Sequence, residues 1–195
     1  MLSMSLNSRE LIIGVLLGLV GLLAWWYSTQ LVLEPEAISA GKRKPDYVVE
    51  DLVGVTMDEQ GRPDRTLQTP QLRHFPDDDS IELDEPHLQI FNDTAPPWHI
   101  RSERGWVSAD GEELLMQGRV RAERKSTADL EPMTLMTSEM LLLPDMDYAE
   151  TDRYTELDRG EDWAGANDGM QIWFAEPMRM RMFGRTRIRF ATTDD

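Results

Sequence analysis

From Leu11 to Leu33 the chain carries no charge, and from Tyr47 onward apolar and polar positions tend to alternate. The first pattern predicts a helix: 23 uncharged residues, opening LIIGVLLGLVGLLAWWY, match the roughly 20 that a bilayer span requires. Trp25, Trp26 and Tyr27 close the apolar run as an aromatic belt would at the headgroups. A cleaved signal peptide would need a shorter run with small residues directly after it. The expectation is therefore a tail over residues 1–10 and a retained transmembrane anchor over residues 11–33. Gly14, Gly18 and Gly21 fall on one face of that helix, where small side chains would let another transmembrane helix approach closely. Glycine is also simply common in spans, so the stripe has a plainer reading.

Residues 34–46 are polar, carry two prolines and lack a period, and read as a tether. Beyond them the alternating runs are Tyr47–Met57, Arg65–Phe75, Ile81–Phe91, Trp98–Ser108, Leu114–Glu123, Met133–Leu143, Gly169–Phe174 and Met178–Phe190. Turn-forming clusters such as Asp58-Glu59-Gln60-Gly61 and Asp110-Gly111 separate them. Many short strands with regular turns predict an all-β sandwich, roll or barrel over residues 47–190, followed by a tail at 191–195. Pro70, Pro86, Gly105 and Gly118 fall inside runs and should split them at bulges or corners. Leu67-Gln68-Thr69, Ile100-Arg101-Ser102 and Leu135-Met136-Thr137 recur at spacings of 33 and 35 residues, a period suited to stacked hairpins.

Charge narrows the function more than composition does. The chain holds 36 acidic and 20 basic residues, a net charge of −16, which argues against nucleic acid as a partner. With no cysteine there is no disulfide, thiolate metal site or thiol nucleophile. His74, His87 and His99 lack metal-ligand spacing, and no phosphate-binding or nucleophile motif is present. No catalytic residue, metal site or cofactor is expected. Residues 145–168, with nine acids and two arginines, read as a solvated, partly flexible loop, with divalent-ion binding as the alternative. In the last run, Met178 to Met182 and Arg185 to Phe190 alternate, with Met180, Ile188 and Phe190 on one face and Arg185, Arg187 and Arg189 on the other. Those arginines face either water or an acidic partner edge or phosphate group.

A single apolar segment, a tether, then Pro45-Asp46-Tyr47, Pro96-Pro97-Trp98-His99-Ile100-Arg101-Ser102, Gly118-Arg119-Val120 and Gly169-Met170-Gln171-Ile172 together resemble the LptC family of lipopolysaccharide export. The resemblance implies a twisted antiparallel β-jellyroll of the OstA-like kind in the periplasm, held to the inner membrane by one N-terminal helix behind a cytoplasmic tail. It also implies three partners: lipopolysaccharide, the inner-membrane ABC transporter at the N-terminal edge, and a periplasmic LptA-like bridge protein at the C-terminal edge. Alternation names the side chains expected inside the β domain: Leu52, Leu67, Leu83, Leu88, Ile90, Ile100, Val120, Leu135, Met180, Ile188 and Phe190. Each is either lipid contact or ordinary core. Two other classes remain open at this point: an anchored carbohydrate-active enzyme using two carboxylates, and a β-domain serving only as a protein scaffold.

Overall fold

Nearly all the alternating runs become strands, and several break where proline or glycine interrupts them. The computed structural model describes residues 43–92, 95–175 and 177–191; the anchor expected over residues 11–33, with Gly14, Gly18 and Gly21, lies outside them. Among the described residues no helix is long and apolar enough to cross a membrane. The strands are β1 (Tyr47–Met57), β2 (Pro63–Phe75), β3 (Ser80–Asp84), β4 (His87–Ile90), β5 (Trp98–Arg101), β6 (Arg104–Val107) and β7 (Leu114–Arg124). They continue with β8 (Met133–Leu143), β9 (Tyr148–Thr151), β10 (Thr155–Arg159), β11 (Asp162–Ala166), β12 (Met170–Trp173), β13 (Arg179–Met182) and β14 (Thr186–Arg189).

These fourteen strands make nine long antiparallel arms. β1, β2, β7 and β8 run unbroken, while β3–β4, β5–β6, β9–β10, β11–β12 and β13–β14 are arms interrupted in the middle. Each arm pairs with its neighbours in the chain: β2 with β3 and β4, β7 with β5 and β6, β8 with β9 and β10. The result is a meander folded lengthwise. Half-sheet I runs β1–β2–β4–β5–β7–β8–β10–β11–β14, and half-sheet II runs β1–β2–β3–β6–β7–β8–β9–β12–β13. The two halves face each other, since Trp98 of β5 meets Phe174, beyond the end of β12, at 5.7 Å between ring centroids. One apolar cluster joins residues of both halves.

The crease follows from local chemistry. Asp51 (φ 51°), Glu85 (45°), Gly118 (81°), Gly169 (94°) and Gly184 (75°) all take the left-handed conformation at or beside the point where an arm turns. Within an arm, inward residues are two apart, but across the crease the step is three: Val49 to Leu52, Thr69 to Leu72, Leu83 to Pro86, Thr137 to Met140. In β7 the step is four, from Met116 to Val120, across the register shift between Gln117 and Val120. The slip keeps the same face inward after the strand has turned. Hydroxyls then pair carbonyls that the bend frees from the ladder. Thr69 Oγ1 lies 2.9 Å from the Gln71 carbonyl and 2.6 Å from that of Asp84. Ser102 Oγ donates to Arg104 O at 2.7 Å, Thr137 Oγ1 to Tyr154 O at 3.1 Å and Thr155 Oγ1 to Arg153 O at 3.0 Å.

Two expectations are corrected. Residues 145–168 are not a loop: they form β9, β10 and β11. Their acids lie mostly outward, and their inward positions are filled by Ala149, Thr155, Leu157 and Ala166, too small as a set to register as an apolar pattern. Ile188 and Phe190 are not interior either; they are 57% and 71% exposed. Among the described residues β14 is an edge strand, paired only with β11, and the residue of β11 opposite Ile188 is the small Ala164, which leaves that side chain largely uncovered.

Candidate functional site

Cross-strand register gathers five of the expected inward residues into one row. Leu67, Leu88, Ile100, Ala122, Leu135, Leu157, Ala164 and Ile188 are successive partners across half-sheet I. Leu52 and Val120 belong to the next row towards the crease, opposite Thr69 and Thr137, and Ile90 to the next row towards the open rim. Leu83 and Met180 lie in half-sheet II, paired with Leu72 and Ile172. Leu83, Leu88, Ile90, Ile100, Val120 and Leu135 are buried, whereas Leu52, Leu67 and Met180 are half-buried and pack against the same cluster. Side chains fill the space between the halves: Ile100, Met116, Val120 and Leu135 have no exposure.

The rim opposite the crease is different in character. A cleft of about 630 Å³ opens there, lined by Asp64, Ile90, Phe91 and Trp98 on one side and Asp147 and Phe174 on the other. The outermost inward row of half-sheet I is Arg65, Ile90, Trp98, Arg124 and Met133. Arg65 donates to Asp64 Oδ2 at 2.6 Å and reaches across the rim to Asp145 Oδ1 at 3.2 Å. Asp145 lies in a single 3-10 turn, Pro144–Met146, which ends on Asp147 in the left-handed conformation. Burial pushes the Asp147 carboxyl above the usual carboxylate range, opposed by Arg65 and reinforced by Asp64. The Arg65–Asp145 pair and the Trp98–Phe174 edge contact are thus two clasps between the half-sheets.

Sequence reasoning missed this rim. Alternation through Val120 and Ala122 points Arg124 inward, but an arginine at an apolar position carries no pattern of its own, and the run as read ended at Glu123. Arg185, Arg187 and Arg189 are exposed beside the free side of β14. Arg189 stacks over Trp163 at 6.0 Å, and Arg187 is the register partner of Gly165. On the outer face of half-sheet I, His87 Nε2 and His99 Nδ1 lie 3.1 Å apart. Among the described residues no group of three or more histidine or acidic side chains could hold a metal ion.

A creased, wholly antiparallel meander with an apolar inner face and, among the described residues, end strands paired on one side only defines the class: an all-β domain with an open rim rather than a closed barrel. The chain belongs to the LptC family, whose model, "Lipopolysaccharide-assembly, LptC-related", matches residues 13–166. No curated protein matches the sequence. Among solved structures it is similar to LptH, the LptA homologous periplasmic component of the conserved lipopolysaccharide transport device from Pseudomonas aeruginosa. That similarity has a TM-score of 0.49 and 7% identity, and covers 67% of this chain and 95% of that one.

Proposed function

We propose that this protein receives lipopolysaccharide from an inner-membrane ABC transporter and passes it to a periplasmic LptA-like bridge protein, on the way to the outer membrane. In this reading residues 11–33 anchor it as a single-pass protein, residues 34–46 tether it, and residues 47–190 work in the periplasm without catalysing a reaction. Family membership supports the role in lipopolysaccharide assembly. The observation that carries the rest is the inward row running from Leu67 on β2 to Ala164 on β11, which the exposed Ile188 continues to the edge of half-sheet I. Each acyl methylene left in water costs about 0.8 kcal/mol, so a lipid crossing an aqueous space gains by following such a track. Because side chains fill the interior, lipid enters by parting the rim, which breaks the Arg65–Asp145 and Trp98–Phe174 clasps.

The filled interior also favours a second reading, in which the domain binds only proteins. One experiment separates them. A photocrosslinking side chain at Leu67, half-buried and inward, should capture lipopolysaccharide in cells, while one at Gln68, exposed on the outer face, should not. Equal capture at both positions, or none at Leu67, would leave the scaffold reading standing.

A further inference from the structure

Arg124 is 7% exposed, yet its side chain makes no hydrogen bond and no ion pair with any described residue. Its Nε is buried without a partner. Its one close polar contact is with a π face: the guanidinium carbon sits 5.4 Å from the centroid of Trp98, a ring that lines the rim cleft. An uncompensated buried charge is strongly unfavourable, and replacing such a group with an apolar one of similar volume commonly stabilises a fold. The other two arginines that are not exposed among the described residues are both paired, Arg65 with Asp64 and Asp145 and Arg73 with Asp84. In a chain of net charge −16 the missing carboxylate at Arg124 is conspicuous.

We propose that Arg124 binds a phosphate group of the lipid cargo, at the boundary between the apolar rows and the rim. The proposal rests on the lipid-carrying function above and assigns the headgroup's place within it. Arg124 is one inward step, two residues along β7, from the Ile100–Ala122–Leu135 row. That step is about 7 Å, so acyl chains lying on that row bring a phosphate at their base within reach of the guanidinium. The planar fork suits a phosphate bidentately, and the Trp98 contact holds it in place. A soluble anion would be repelled by the domain's overall negative charge; an anion attached to acyl chains is drawn in by their burial. The ligand is therefore a phosphorylated amphiphile rather than free phosphate.

The test uses the full-length protein in nonionic detergent, with lipid A, the same lipid A chemically stripped of its phosphates, and inorganic phosphate as probes. Wild type should bind both lipids, the phosphorylated one more tightly. Arg124→Met should lose about tenfold or more in affinity for phosphorylated lipid A, and bind the stripped lipid within about twofold of wild type. The Met variant should melt at or above the wild-type temperature; should it fail to fold, Arg124→Lys, which keeps the charge but loses the fork, should show an intermediate loss for the phosphorylated lipid alone. Unchanged affinity of the variants for phosphorylated lipid A, or equal losses for both lipids, overturns the assignment while lipid carriage stands. Arg124-dependent protection of wild type by inorganic phosphate overturns the amphiphile. Binding of neither lipid by wild type overturns the lipid-carrying function and this inference together.

Discussion

His87 and His99 stack on the outer face of half-sheet I with ring centroids 5.3 Å apart. Burial, helped by the positive charge of Arg101, holds both below the usual histidine value of 6.5. The folded pair therefore refuses protons that the unfolded chain accepts, and stability falls as the pH drops from about 6.5 towards the folded values. Carboxylates held low by their partners work in a separate range. Asp58, bonded to the Arg62 and Gln60 backbone, and Asp110, bonded to Ser108 and the Glu112 backbone, contribute above 3.8 and lose that contribution only as the pH falls through their lowered values. Between pH 5 and 6.5 the histidines should thus dominate. The double variant His87→Gln/His99→Gln should lose less melting temperature between pH 7.5 and pH 5 than wild type does. An identical loss in the two proteins would show that the pair does not set the acid response.

At the scale of the strand, the crease decides what holds. Thr69→Val removes the hydroxyl that meets the Gln71 and Asp84 carbonyls, and should cost about 1–2 kcal/mol in urea denaturation. Gly169→Ala should cost far more, above about 3 kcal/mol, because a Cβ there would stand 1.9 Å from the Thr151 carbonyl oxygen. Gly61→Ala, in a turn with open space around it, should cost only the left-handed penalty of about 1–2 kcal/mol. These corners explain which parts of the fold were legible in advance. The recurrence of Leu67–Thr69, Ile100–Ser102 and Leu135–Thr137 is an inward aliphatic followed by the crease hydroxyl, met once every two arms. Pro70, Pro86 and Gly118 mark corners, with Gly105 just past one. β9, β10 and β11 were illegible because the alternation there is carried by alanine, threonine and one leucine against many acids. Arg124 was illegible because hydropathy assigns an arginine to water and so overrides the alternation that points it inward; register with Trp98 and Met133 shows it facing in.

At the scale of the whole ladder, and among the described residues, β1 is paired only with β2, while β13 and β14 are paired only with β12 and β11, so both ends present unpaired backbone. Under the proposed function the C-terminal end meets the bridge protein. Deleting residues from Arg185 onward should abolish binding to an LptA-like partner and leave transporter binding intact. All four β14 residues are exposed, so the truncated domain should still unfold cooperatively, within a few degrees of wild type. Unchanged bridge binding would put the docking edge elsewhere. The ladder's order has a consequence for how the domain acquires its structure. Because each arm pairs with the arm before it and the arm after it, no segment has to wait for a distant one. Loop-closure entropy is met in small instalments of one turn at a time. Structure can therefore advance along the polypeptide in the order of synthesis, each new arm templated on the last, and the growing edge is at every stage the next arm's binding site.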